Sequence, residues 1–388
     1  MSLVANALDS LRRADRALGQ RRGRRRVLVD ARTPVNFTMV APVYRAMSAD
    51  PRVSFFFTAS EEPDRLREIY REAPDVQLID TAAARRMRFD AYVASDFMWQ
   101  PLPRGTCRVQ VFHGVGGKYG FDAPTESMRA WDRIFFVNER RLRNFIKAGA
   151  IDADSPAIRM VGLPKADALV NGTWTRAAVL EPLGLDPAKQ TVLYAPTWSP
   201  ASSLNAIGLE LIDRIKAMGV NLIVKLHDRS RDIRARYSGG IDWVEALTPR
   251  LQPPAAALAP GHDITPYLVA ADLMVTDHSS AGFEYLLRDR PIVRIHRPEL
   301  IRDANIHPDY VELLASVSAS ADGVDEAVRA IDRGLAAPDS LSDTRRAVAA
   351  DIFYRPGGAT ARSIRHLYEA IDLDPAPASI AQELPCRP

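Results

Sequence analysis

A short polar run, Thr-Asp-His-Ser-Ser at 276–280, follows an apolar stretch of strand length at 273–276 and precedes a helical pattern. Backbone N–H groups at such a helix start have no partner inside the helix and attract anions. Open α/β sheets hold ligands at this edge, beyond the carboxyl ends of their strands. The turn therefore predicts an anion site for a nucleotide's phosphates, with Asp277, Ser279 and Ser280 in it. Glu284, one turn further on, would hold a ribose hydroxyl or an acceptor, or else be a solvated helix residue. Thr265 is expected to cap the preceding helix, with Pro266 at its first position. Phe283, Leu286 and Leu287 recur at helical spacing and should face the sheet.

A second candidate is FHGVGGKYGF at 112–121, also at the end of an apolar run. His113 is the side chain type best suited to proton transfer near neutral pH. Gly114, Gly116 and Gly117 would let the backbone approach a ligand closely, and Lys118 adds a cation that could meet phosphate. The alternative is a tight turn whose histidine satisfies a backbone carbonyl. The stretch matches neither the dinucleotide fingerprint nor the P-loop pattern. A third is YAPTW at 194–198, where Thr197 and Ser199 offer hydroxyls at a strand exit. In KLH at 225–227, Lys225 and His227 would project to one side of a strand end and suit a pyrophosphate. Lys225 paired with a structural carboxylate is the competing reading. Asp263, Asp272 and Asp277 do not make a persuasive metal cluster, and no His/Cys ligand spacing or Gly-x-Ser-x-Gly elbow occurs.

These residues need strands to place them. Apolar runs of strand length lie at 27–30, 53–57, 76–79, 91–94, 108–112, 133–137 and 158–161, with helical patterns at 35–49, 61–73 and 139–148. Strands restart at 191–195, 220–225, 273–276 and 292–295, with helices near 204–218 and 280–287. Such alternation predicts parallel sheets with crossover helices. Further helices are expected near 322–336, 342–350 and 359–371, while 237–260 shows no clear pattern. The expected division is a basic helix at 1–26, a Rossmann-like domain at 27–183, a second at 184–356, a C-terminal helix at 357–372 and a flexible tail at 373–388.

The chain has 388 residues, enough for two cores, and its 47% hydrophobic and 26% charged residues are ordinary for a globular protein. No apolar run approaches the roughly 20 residues that span a bilayer. The start lacks the apolar centre of a secretory signal, and two distant cysteines make no disulfide framework, so a cytoplasmic location is expected. Positions 1–26 carry a net charge of +6 and the remainder −3. Leu3, Val4, Ala7, Leu8, Leu11 and Leu18 fall at helical spacing there, which would suit a helix on the inner face of an anionic membrane. A helix packed on the domain with a solvated arginine face is the other reading. Nucleic acid is not an expected partner, because the rest of the chain has no basic stripe with interleaved aromatics.

Taken in order, HG at 113–114, GLPKAD at 162–167, YAPTW, KLH and TDHSSAGFEYLLRDRPI at 276–292 resemble the CDP-glycerol glycerophosphotransferase family, which primes and polymerises teichoic acids. The resemblance implies an α/β GT-B architecture, with two Rossmann-like domains whose parallel sheets face a central cleft. It implies His113 as catalytic base and Lys225, His227, Ser279 and Ser280 as the donor-phosphate site. A CDP-glycerol or related CDP-alditol donor and a lipid-linked or glycan hydroxyl acceptor follow from it; the positive groups at the phosphate site could replace a metal, so no cofactor or metal is expected. The chain departs from the pattern at Asp228, where proline commonly follows the histidine, and at His278, where tyrosine is usual. An acidic residue beside a phosphate site would weaken anion binding unless it points away. A GT-B glycosyltransferase using a nucleotide sugar, and a non-catalytic nucleotide-binding scaffold, are the alternatives.

Overall fold

A computed structural model describes residue 14 and residues 23–73, 76–118 and 126–376. The chain forms two compact units. The first comprises Met1–His113, Asp122–Asp167 and Tyr354–Pro388; the second comprises Gly114–Phe121 and Ala168–Phe353.

The first unit is built on a seven-stranded sheet in the order β3-β2-β1-β4-β5-β6-β7. Its strands are β1 Arg25–Asp30, β2 Val53–Thr58, β3 Gln77–Leu78, β4 Ala91–Ser95, β5 Cys107–Val111, β6 Arg133–Phe136 and β7 Ile158–Met160. Every pairing is parallel. Parallel strands are covered on both faces, which is why β1 and β2 carry near-continuous apolar runs rather than alternation. The helix Pro34–Met47 begins with a reciprocal cap: Thr33 Oγ1 accepts from Asn36 N–H, and Asn36 Oδ1 accepts from Thr33 N–H. Its Phe37, Val40 and Val43 join Val27, Val29, Phe55 and Phe57 in one core, which Ile364, Leu367 and Tyr368 of the helix Ala359–Ala370 complete.

The second unit has a six-stranded parallel sheet in the order β10-β9-β8-β11-β12-β13. The strands are β8 Thr191–Tyr194, β9 Asn221–Val224, β10 Ala256–Leu258, β11 Leu273–Thr276, β12 Ile292–Ile295 and β13 Ala319–Ala321. The helices Ser203–Ala217 and Val324–Ala336 pack on this sheet through Leu211, Ile215, Ala327 and Ile331. In each unit the strand order reverses beside a central pair, β1/β4 and β8/β11, and ligands of open sheets gather at that point.

Several expectations change. The first unit ends at Asp167 rather than 183, and the helix Ala359–Ala370 belongs to it because the Asp167 carboxylate accepts from the N–H groups of Gly357, Ala359 and Thr360 at that helix's start. The GLPKAD aspartate is thus a structural cap. The pattern at 61–73 resolves into a 3-10 turn, Pro63–Arg65, and one helical turn, Leu66–Ile69. Thr265 caps nothing with its side chain; Asp263 Oδ1 accepts from Thr265 N–H at 2.9 Å. Phe283 and Leu286 are buried as expected, and Leu287 is half-buried. Arg25 and Arg26 start β1 rather than ending a helix. The other residues of the expected basic helix, apart from 14, 23 and 24, and the tail from 377 lie outside the described residues.

Candidate functional site

In the first unit His113 follows β5 and Asp96 follows β4, so two neighbouring strands deliver them to one sheet edge. His113 Nδ1 is in direct contact with Asp96 Oδ2. Asp96 is buried, and it is held from three sides: Asn36 Nδ2 donates to it at 3.3 Å, Arg32 Nη2 lies 3.7 Å away, and Arg141 acts on it. Burial alone would raise its carboxyl, but His113, Arg141 and Arg32 together outweigh burial and hold it below the usual carboxylate range. A charged carboxylate against Nδ1 places a proton there and leaves Nε2 with its lone pair outward. Asp96 and Phe97 both adopt positive φ, +52° and +60°, a left-handed pair without glycine. Such strain persists only when its surroundings over-determine it. Here Asp96 N–H donates to Val111 O and Phe97 N–H donates to Gln110 Oε1.

In the second unit Asp277 follows β11 directly and is fully buried. Its Oδ1 accepts from Thr197 N–H at 2.8 Å; its Oδ2 accepts from Ser203 N–H and Ser203 Oγ, both at 3.0 Å. This corrects its expected place among the phosphate ligands. The carboxylate faces inward and clamps the loop after β8. Thr197 is therefore fixed, and its Oγ1 accepts from Lys118 Nζ at 3.3 Å. Ser279 and Ser280 are half-exposed, as a ligand site requires. A Cβ added at Gly114 would lie 3.9 Å from Ser280 Cβ, so the glycine-rich stretch lies beside that turn. A Cβ at Gly116 would press on the Tyr310 ring at 3.0 Å, so this glycine serves close packing against protein.

Lys225 also differs from expectation. It is buried, and its Nζ donates to Gly261 O at 2.8 Å and Leu226 O at 3.2 Å. It anchors the 261 loop beneath the site. His227 remains half-exposed, and its Nδ1 lies 2.5 Å from Asp228 Oδ1. Arg229 N–H is shared between the two side chains, donating to Asp228 Oδ1 at 2.9 Å and to His227 Nδ1 at 3.1 Å. Burial would raise the Asp228 carboxyl, but His227, Arg229 N–H and His262 hold it well below the usual range. Asp228 thus turns toward its neighbouring imidazole. Trp198 lies 6.3 Å from the His227 ring, and the Arg229 guanidinium sits over both Trp198 and Tyr237. Glu284 is buried in the short helix Ala281–Tyr285, which removes the solvated reading. Among the described residues, no three His, Cys, Asp or Glu side chains gather in a metal-binding group.

Asp96 is the site residue that the sequence pattern missed, together with Arg32, Asn36 and Arg141 behind it. One weak signal existed: a Ser-Asp pair directly after an apolar run at 91–94, of the same form as Thr-Asp at 276–277.

Two parallel sheets, each with its strand order reversing beside a central pair, give the chain the α/β GT-B fold. The profile of the family CDP-Glycerol:Poly(glycerophosphate) glycerophosphotransferase matches residues 35–367, and the chain belongs to that family. By that membership it is a CDP-glycerol glycerophosphotransferase. Among solved structures, the wall teichoic acid polymerase TagF is similar at a TM-score of 0.65 and 15% identity, over 96% of this chain and 99% of that one. A TagF variant soaked with CDPG has the same TM-score and identity, over 90% of each chain. The S. aureus MnaA complex with UDP is similar at 0.51 and 13% identity, over 90% of this chain and 98% of that one. A comparison with curated protein sequences finds no match. Among the described residues, no helix is long and apolar enough to cross a membrane.

Proposed function

We propose that His113 is the general base of glycerol phosphate transfer, oriented by Asp96, and that Ser279, Ser280 and His227 receive the donor's phosphates. An acceptor hydroxyl gives its proton to His113 Nε2 as its oxygen attacks the phosphorus that carries glycerol. The bond from that phosphorus to the bridging oxygen breaks, and CMP leaves with the electron pair. The product is a new phosphodiester. Asp96 keeps Nδ1 protonated and stabilises the imidazolium that forms, as a buried carboxylate does for a catalytic histidine. Serine hydroxyls and a half-exposed imidazole offset charge on the phosphate oxygens, and such preorganised donors are a large catalytic term. Lys225 acts from below by holding the 261 loop.

The acceptor in this reading is a hydroxyl on a lipid-linked or glycan chain, met on the cytoplasmic side of the membrane, with residues 1–26 as a surface contact. The observation that carries the proposal is the contact of His113 Nδ1 with the buried Asp96 carboxylate at a ligand-binding sheet edge. The test is CMP release from CDP-glycerol in the presence of acceptor. His113→Ala should lose about 10²- to 10⁴-fold in rate, the usual contribution of a positioned base. Equal rates for His113→Ala and wild type would remove His113 from the mechanism.

A further inference from the structure

Four arginines follow β9 closely, at 229, 231, 234 and 236. Arg231 Nη2 donates to Ala259 O at 3.1 Å. Arg234 takes the Asp232 carboxylate through Nε and Nη2. Arg236 stands exposed on the short helix Ala235–Ser238. Arg229 differs from these. It is half-exposed, and its backbone N–H and C=O are hydrogen-bonded, but its guanidinium has no hydrogen-bond or ion-pair partner among the described residues. Two aromatic rings hold it instead. Its Cζ lies 5.1 Å from the centre of Trp198 and 4.7 Å from that of Tyr237. The two rings meet edge to face, 5.5 Å apart at 78°. Arg234 and Arg236 lie against the same Tyr237 ring at 4.8 and 4.7 Å, so positive charge is crowded here.

Stacking holds a guanidinium without using its hydrogen atoms. The ring face attracts the cation, while the N–H groups lie in the plane of the guanidinium and stay available. A planar group with five unused donors, held in place, is the form that meets a phosphate through two parallel hydrogen bonds. The strands set its position. Arg229 N–H joins Asp228 to His227 after β9. Trp198 comes after β8, directly behind Thr197, whose N–H Asp277 holds at 2.8 Å. Asp277 in turn opens the turn of Ser279 and Ser280 after β11. β9, β8 and β11 are neighbours in the sheet. The guanidinium, over a ring at the middle strand end, therefore shares one edge with His227 on one side and the two serines on the other. Lys225 supplies no cation there, because its Nζ is engaged with Gly261 O and Leu226 O. The chain departs from the family pattern at Asp228, and the free cation follows directly.

We propose that Arg229 binds the phosphate that leaves with CMP. This deepens the transfer reading above and rests on it for the identity of the donor. The guanidinium donates to two non-bridging oxygens of that phosphate. When the bond from the glycerol-bearing phosphorus to the bridging oxygen breaks, the electron pair stays on that oxygen and the CMP phosphate gains charge. A cation at this place is attracted more strongly in the transition state than in the bound donor, so it raises kcat as well as affinity. A stacked arginine thus takes the part that the sequence pattern suggests for Lys225.

The test is calorimetric titration of the 388-residue protein with CMP and, separately, with cytidine, which lacks the phosphate. Wild type should bind CMP the more tightly. Arg229→Gln should weaken CMP about 10- to 100-fold, the range for a hydrogen-bonded charged group, and leave cytidine within about twofold. Arg229→Lys keeps the charge without the fork. Its CMP affinity should lie between the other two with cytidine again unchanged, and it decides the matter if Arg229→Gln does not fold. Arg236→Gln removes an exposed arginine from the same tyrosine and should leave CMP within about twofold. With CDP-glycerol and acceptor, Arg229→Gln should lower kcat as well as raise KM. Equal weakening of CMP and cytidine would make Arg229 a support of the aromatic pair. Unchanged CMP binding in Arg229→Gln would take it off that phosphate, and an equal loss in Arg236→Gln would reduce the effect to general positive charge. Each of these overturns the proposal. Failure of wild type to bind CMP would overturn the donor reading with it, whereas CMP binding that ignores Arg229 leaves that reading standing.

Discussion

Asp96 and Asp277 occupy the same place in two similar sheets. Each is the first residue after a central strand, at the carboxyl edge, and each is buried. They differ in what they hold. Asp96 turns to a side chain, the His113 imidazole, and is itself fastened by Asn36 and Arg32. Asp277 turns to backbone, fixing Thr197 and the start of the helix Ser203–Ala217. One position therefore faces an imidazole in the first unit and backbone in the second. A buried carboxylate at a switch point is evidence of a demand for charge, and only its partner tells which demand.

The largest expected effect separates the two. Asp96→Asn should lower kcat by about 10²-fold, the lower range of what a positioned base contributes, because an amide no longer enforces the Nδ1–H tautomer. CDP-glycerol affinity, measured by titration, should stay within about twofold. Asp96 also links to pH. Its carboxyl is depressed in the folded state, so its stabilisation is complete above about pH 4, the ordinary carboxylate value, and is lost as pH falls through the folded value. The stabilities of wild type and Asp96→Asn should therefore converge in acid. A variant with full kcat would make Asp96 a structural residue like Asp277 and erase the contrast.

Asp277→Ala should do the converse. It leaves two buried N–H groups and one hydroxyl without their acceptor, which costs about 3 kcal/mol or more. Urea denaturation should show the loss, and donor affinity should fall because the 197 loop is released. Stability near wild type would show that the clamp is dispensable.

How far the sequence displays this contrast follows from where each contact comes from. His113 is legible because a histidine beside glycines at the end of an apolar run is a local pattern. Asp96 is not, because its meaning depends on β4 lying next to β5 and on a left-handed turn at 96–97 that no glycine announces. Asp277 was visible as a site residue but its direction was not; the donors that turn it inward lie 74 to 80 positions away. Lys225 reads as a phosphate ligand for the same reason, since its carbonyl partner at Gly261 is 36 positions distant. Most long strands and helices are legible nearly to their ends, but the helix Pro308–Ser316 is not, and the pattern at 61–73 overstates one helical turn. β10 and β13 have three residues each, rich in alanine, and too little pattern to register.

A third contrast sets the long-range pair against a local one. Asp228 meets His227 from the adjacent position, with no other strand involved. If His227 receives donor phosphate, Asp228→Asn should change KM for CDP-glycerol by about threefold to tenfold and leave kcat within about twofold, because one hydrogen bond to a charged group is worth about 1.5–3 kcal/mol and Arg229 N–H partly replaces it. A kcat loss as large as that of Asp96→Asn would make His227 a proton-transfer group, and the two histidines would no longer differ in role.

The smallest effect concerns stability with its sign reversed. Lys118 is half-buried, and desolvation of its ammonium, only partly offset by Asp277, pushes it down to about 8 from its ordinary value of about 10.4. The unfolded chain therefore binds more protons than the folded one between those values, and stability rises with pH across that window. Below about pH 8 the folded state bears the full cost of charging the group. Lys118→Met keeps the stem and removes the charge, so it should raise the melting temperature by a few degrees at pH 7. The gain should shrink as pH climbs from about 8 toward 10, where wild type no longer carries the penalty. A melting temperature for Lys118→Met at or below wild type at pH 7 would mean that the lysine is already compensated within the protein. In that case Lys118, like Asp277, would serve the architecture of the second unit's edge.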